Sequence, residues 1–416
     1  MVNYPLIKEV ELFLNDKPSV FALRDKAKRC LNEIGFPTKK TEQYKYTDVK
    51  QIISSNFEVL TNDGGCSGGC CCDNKKSSFF IEIVFCKGAL HVEDFVLPEG
   101  VTVTPLPVAL FDNEYKKYIF NSFDMSKYPF GALNGMYLEQ GVCIEIEDGV
   151  NINDVLKINY KNCHANNTMM NIHNIFLLGK NASIELVEEF VSSNENEYFT
   201  NVVNEIYLKD NSNFKHYKIQ KESRSSFHIA LNAVKVNKEA KYEQFYLSNG
   251  AKLCRNENLI NLDREYARAE VYSAYIANKD CLTDITTNVN HNVENTFSNQ
   301  YAKAVLESDS KATFQGKVRI EKDAVKVEGN QLHKALYLGD DAELNCKPEL
   351  EIYADDVKCS HGASCGEIDK EQLFYLTSRG IDKERAVKML IDAHLREILS
   401  LINNETIRGI FETNLV

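Results

Sequence analysis

No stretch of the 416-residue sequence is apolar over the roughly 20 residues that a membrane helix requires. The amino terminus, MVNYPLIKEVELFLNDK, has neither a basic start nor an unbroken apolar segment, so it does not read as a signal peptide. Positive charge is in deficit: 48 Lys and Arg against 60 Asp and Glu give a formal net charge of −12. That balance argues against nucleic acid or an anionic membrane as the main partner and favours a protein. There is no G-x-x-x-x-G-K-[ST] phosphate loop, so nucleotide hydrolysis of that type is not expected of this chain. Cysteine, by contrast, is plentiful. The 13 thiols are odd in number, and a chain of this size has enough core to do without disulfide staples. The expectation is a soluble cytoplasmic protein of two or three domains, with reduced thiols of which a few are available to iron or zinc.

Three regions follow one another. Residues 1–130 read as a mixed helical and strand domain. From about Ser19 to Ile34, Phe21, Leu23, Ala27, Leu31 and Ile34 recur at mostly helical spacing among Arg24, Lys28 and Arg29. This predicts an amphipathic surface helix, stopped by Gly35 and Pro37. In TEQYKYTDVK, Tyr44 and Tyr46 read as packing anchors. Residues 62–78 form a Gly/Ser/Asn-rich loop in which Cys66, Cys70, Cys71 and Cys72 are the obvious metal candidates. Three consecutive cysteines cannot easily turn their sulfurs to one tetrahedral ion, and no paired C-x-x-C knuckle is present. The loop is expected to be a flexible insertion.

Residues 131–368 have a different texture. GVCIEIEDGV alternates Val142, Ile144 and Ile146 with Cys143, Glu145 and Glu147, the period of a strand with one buried face. Such runs recur between the polar turns LGKNASIEL, LKDNSNFKH, VNKEAKYEQ, LDREYARAE, ESDSKATFQ and GDDAELN, mostly some 25 to 31 residues apart. Each unit supplies two or three short strands, too few to enclose a core alone. Stacking the units as a mainly β, parallel β-helix solves that problem. A sandwich explains the long period less well. Residues 369–416 turn helical. Asp369 with Gln372 resembles a capping box, Ile368 with Leu373 a hydrophobic staple, and Gly380 a left-handed helix end. Asp382 then starts a second helix striped by Val387, Leu390, Ile391, His394, Ile398 and Leu401, which either caps the solenoid or offers a docking face.

The junction EIYADDVKCSHGASCGEID places Cys359 two residues before His361, so in a strand they share a face with α-carbons roughly 6–7 Å apart. A thiolate and an imidazole suit iron or zinc. The alternatives are a buried cysteine beside a hydrogen-bonded histidine, or a thiol nucleophile, although same-strand neighbours seldom form a direct nucleophile–base pair. Cys365 reads as structural. In EGNQLHKALYLGDD, His333 has the opposite parity to Leu332, Leu336 and Leu338, which predicts an outward side chain. Polysaccharide-active enzymes also use parallel β-helices, but no ladder of aspartate or arginine marks a groove here.

KPELEIYADDVKCSHGASCGEIDKEQLFYLTSRGIDKERAVKMLIDA resembles the carboxy-terminal signature of the SufBD family of iron–sulfur cluster assembly proteins. ALNGMYLEQGVCIEIEDGV and TEQYKYTDV resemble that family's β-helix start and amino-terminal motif, with Tyr44 where tryptophan is usual. The resemblance implies a right-handed parallel β-helix core, a mixed α/β amino-terminal domain and a carboxy-terminal helical domain that holds the SufC ATPase. It implies a non-catalytic subunit that pairs with SufB, or with a copy of itself, and carries no tightly bound cofactor beyond transient iron or a nascent cluster. A functional histidine at the SufB interface falls on His361, with Cys359 beside it and His333 less strongly. SufC contact falls on Arg379, Gly380, Val387, Leu390 and Ile391. SufB-like chains have cysteine in place of His333 and an acidic residue in place of Gly362, so the resemblance favours the SufD branch over a SufB-like homodimeric scaffold.

Overall fold

The structure is a computed structural model that describes residues 4–7, 18–60, 80–86, 89–92, 97–162, 166–192 and 194–415. The Cys66–Cys72 loop lies outside the described residues. Two ten-stranded sheets face each other, and the chain alternates between them. Thr168–Leu178 enters one sheet, Ser183–Val191 the other, and the alternation continues to Glu343–Ile352 and Val357–Glu367. Neighbouring strands in each sheet are successive coils running parallel: Asn213 pairs with Lys241, and Lys241 with Arg268. The result is a β-solenoid of about seven turns, with two strands per coil. Consecutive strands lie in different sheets, as a solenoid requires.

The polar turns make the corners. Asn181, Asn211, Asp280 and Asp309 adopt φ of 57–60°, a left-handed conformation that Asn and Asp tolerate better than most residues. Each is followed by a small buried residue, Ala182, Ser212, Cys281 or Ser310, where the chain bends back over the core. Stacked corners bond to each other, as Asn211 Nδ2 does to Asn181 Oδ1 at 2.7 Å.

Both sheets are covered on their outer faces as well. The helix Pro18–Ile34 and the short helix Pro129–Met136 close over the first sheet. The first of these buries Val20, Arg24, Ala27 and Leu31. Phe21, expected on that stripe, is 55% exposed, because one residue beyond Val20 the helix has turned by roughly 100°. Tyr44 is an anchor as expected. It is buried with the Arg255 guanidinium 4.2 Å from its ring centroid, and Arg255 pairs with Glu257 and Asp284. Thr47 also bonds to Asp284, so the TEQYKYT segment is clamped to the solenoid by a buried charge cluster. On the second sheet, Lys383–Leu399 and Glu405–Leu415 lay Leu395, Ile398, Phe411 and Leu415 against Tyr217, Phe245 and Tyr272.

The interior is partly polar. Asn174, Asn204, Asn232 and Asn258 stack one per coil, each amide nitrogen donating at 2.9 Å to the next oxygen, and Asn258 ends the ladder on Thr287 at 3.2 Å. The amino-terminal end of the solenoid is closed by antiparallel pairing, of Val101–Pro105 with Val142–Ile146 and of Phe80–Cys86 with Ala89–Val92. At the other end Glu343–Ile352 and Val357–Glu367 pair along one edge only. Among the described residues no helix is long and apolar enough to cross a membrane.

Candidate functional site

The open end carries the residues of KCSHGAS. In the ladder, Cys359, His361, Ala363 and Cys365 follow Gly329, Gln331, His333 and Ala335, which point into the solenoid and are buried. Among the described residues no further coil covers the last row, so His361 and Cys365 are exposed and Cys359 is half-buried. Cys365, expected to be structural, is thus open to solvent because the solenoid stops one strand too early to enclose it. Cys359 sits over a notch: its Sγ lies 3.5 Å from where a Cβ on Gly329 would stand. Burial pushes this thiol up, the Gly329 N–H opposes that, and Glu328 adds to it. Across the coil, burial pushes the inward Cys346 up to about 11. Among the described residues no three His, Cys, Asp or Glu side chains gather closely enough to hold a metal ion. Cys359 and His361 are therefore a two-donor set on an unpaired strand edge.

His333 corrects an expectation. It points inward and is fully buried, with Nε2 2.7 Å from Tyr275 Oη and its ring stacked on Phe314. The outward leucines mark the face that the carboxy-terminal helices cover: Leu336 and Leu338 pack with Leu395 and Ile398. The parity difference was correct, but the outer face is itself partly covered by helices, so apolar residues do not identify the interior. Burial holds His333 down at about 4 and His291 at about 3. In the unfolded chain both take up a proton near pH 6.5, before the folded state does. Stability conferred by the two neutral rings is therefore complete above that pH and is lost as pH falls toward the folded values. The expected slope is about 1.4 kcal/mol per pH unit for each ring. Denaturant unfolding of wild type and His333→Phe between pH 7 and 4.5 checks this: the variant should show a shallower loss.

The second candidate surface is the helical tail. Asp369 accepts from the Glu371 and Gln372 N–H groups and caps Lys370–Ser378. Gly380, at φ 85°, ends that helix: its N–H donates to Thr377 O at 3.0 Å and that of Ile381 to Leu376 O at 3.3 Å. The helix buries none of its residues, and Phe374 is 73% and Tyr375 58% exposed. A groove of about 550 Å³ between it and the next helix is lined by Asp369, Glu371, Gln372, Tyr375, Leu376 and Leu390. Arg379 is exposed beside Tyr375, and Val387 and Leu390 are half-buried. Ile391 is turned toward the sheet instead, where it joins the cluster around Leu395.

The family model described as "SUF system FeS cluster assembly, SufBD core domain" matches residues 161–394, and that described as "SufBD protein N-terminal region" matches 8–158. The chain belongs to the SufBD family. It is similar to Protein ABCI7, chloroplastic, of Arabidopsis thaliana, 30% identical over 400 residues that span 93% of this chain and 83% of that protein. It is also similar to the iron-sulfur cluster assembly protein SufD of Escherichia coli K12, 29% identical over 384 residues, 90% of this chain and 87% of that one. A SufBD family protein of Synechocystis, slr0076, is 26% identical over 406 residues, 93% and 88% of the two chains.

Sequence reasoning on this SufBD chain missed the polar residues directly beneath the open coil, Ser298, Gln300 and Gln331. Their signal was available. They share strand parity and coil position with Cys359 and His361, and two of them are amides on an inward face.

Proposed function

We propose that this chain is a SufD-like scaffold subunit of a SufB–SufC–SufD complex. It pairs through its open last coil with a SufB-like subunit, and presents Cys359 and His361 there to iron and to the nascent cluster as cargo. It holds a SufC-like ATPase on the exposed carboxy-terminal helices and catalyses no reaction itself. The observation that carries this reading is the strand Val357–Glu367, which pairs on one side only, ends the solenoid and exposes a thiol and an imidazole with no third His, Cys, Asp or Glu gathered beside them among the described residues. Such a set favours completion of the coordination by a second subunit that adds a strand to the same edge.

Anaerobic purification of the tagged chain from cells that express its natural partners tests the reading. SufB-like and SufC-like subunits should accompany it, together with iron and sulfide. Recovery only of copies of this chain, free of both elements, would refute it.

A further inference from the structure

Beneath His361 lie two glutamines that the scaffold role does not use. Gln300 and Gln331 are 1% and 2% exposed and succeed one another in the ladder, with His361 next after Gln331. Each reaches across the interior. Gln300 Nε2 donates to Lys317 O at 3.3 Å and Gln331 Nε2 to Glu349 O at 3.2 Å, which determines the end of each amide that carries the oxygen. Neither Oε1 has a hydrogen-bond partner among the described residues. Both point at one place: a Cβ on Gly316 would stand 2.9 Å from the first and 3.0 Å from the second, with a Phe314 ring carbon 3.1 Å away forming the wall. Gly316 continues the line of the asparagine ladder after Thr287, so glycine replaces a side chain where the oxygens converge. The notch at Gly329 adjoins this row, with Ser298 Oγ 3.6 Å and Cys359 Sγ 3.5 Å from its missing Cβ.

Two buried carbonyl oxygens of like partial charge need a donor or a cation between them. We propose that this chamber is a divalent-cation site in which ferrous iron is held by the Gln300 and Gln331 amide oxygens and the His361 imidazole, with the Cys359 sulfur alongside. The inference rests on the reading of His361 as an iron-handling group and deepens it, by giving the ion a place inside this chain before a partner completes the coordination. Mixed oxygen, nitrogen and sulfur donors suit a borderline ion such as ferrous iron better than magnesium or calcium, which prefer all-oxygen sites. A bound ion would draw the two oxygens to metal–oxygen distances of about 2.0–2.2 Å by torsion at the ends of the two glutamines.

The test uses the full-length chain purified alone without oxygen and titrated with Co²⁺, followed by visible absorption. Wild type should bind one ion, and Gln300→Leu or Gln331→Leu should weaken binding by about ten- to a hundredfold with an unchanged melting temperature. Gln331→Glu, which keeps the polar end should the leucine variant fail to fold, should tighten it. Binding that is lost in His361→Ala but indifferent to both glutamines would overturn the chamber and leave the strand as the whole site. Absence of Co²⁺ binding by wild type would also overturn it, with water filling the space. Neither result bears on subunit pairing, which copurification decides.

Discussion

Alanine at position 361 is expected to lower the iron and sulfide content of anaerobically purified complexes by about tenfold or more, while the melting temperature stays within about 2 °C of wild type. The imidazole stands exposed on an edge strand, so its removal empties no cavity and unpacks no helix. Cys359→Ala should act in the same direction more weakly. Its sulfur is half-buried over the Gly329 notch, and the thiol is held up by burial, so less of it is present as thiolate. Cys365→Ser should have almost no effect, since that residue lies beyond Ala363 on the same row, away from the notch. The order of the three decides more than any single value. A structural role for His361 would instead lower the melting temperature and the recovery of subunits together. Thermal unfolding paired with metal and sulfide analysis separates the two. Wild-type cluster content in His361→Ala, or failure only through unfolding, would end the assignment.

The solenoid was legible because its coils are bounded by polar corners with a small residue after each, and that pattern survives in a single sequence. LGKNASIEL and LKDNSNFKH both became turns with a left-handed asparagine and a buried Ala182 or Ser212. The open-end pair was legible as well, because a spacing of two in a strand fixes a shared face whatever the fold. The facing of His333 was not. Period two distinguishes the two faces of a strand, but it names the interior only when one face is wet. Here the amino-terminal helices cover one sheet and the carboxy-terminal helices the other, so on Val327–Tyr337 the outward Leu336 lies under helices while Gln331 and His333 lie inward, and polar and apolar side chains occur on both faces. Glu188, for instance, is fully buried between His216 and Tyr160. Hydrogen bonding from those partners and the Lys218 charge offset its burial and hold its carboxyl below the usual range. Nothing in local composition announces such a paired interior, because the partners come from neighbouring coils about 28 residues away.

The tail should separate into two functions when it is cut by substitution instead of deletion. Leu395, Ile398, Phe411 and Leu415 are buried against the second sheet, and Phe411 meets Tyr217 edge-on with ring centroids 6.1 Å apart. Phe411→Ala is therefore expected to destabilise the protein by about 3–5 kcal/mol, as loss of a buried aromatic ring does. Phe374 and Tyr375 belong to no such core: both are exposed, and Tyr375 borders the groove with Leu376 and Leu390. Phe374→Asp with Tyr375→Asp should leave unfolding unchanged and abolish recovery of the ATPase subunit, because an apolar face that binds a partner loses its contact when charged. Removal of the whole of 369–416 would do both at once, stripping Tyr217, Phe245 and Tyr272 of their cover, and so cannot tell docking from capping. Denaturant unfolding of each variant alone, beside pull-down of the ATPase subunit by each, makes the distinction. If the double aspartate variant still captures that subunit at full strength, docking lies elsewhere on the chain. If Phe411→Ala unfolds no more readily than wild type, the carboxy-terminal helices do not cap the solenoid.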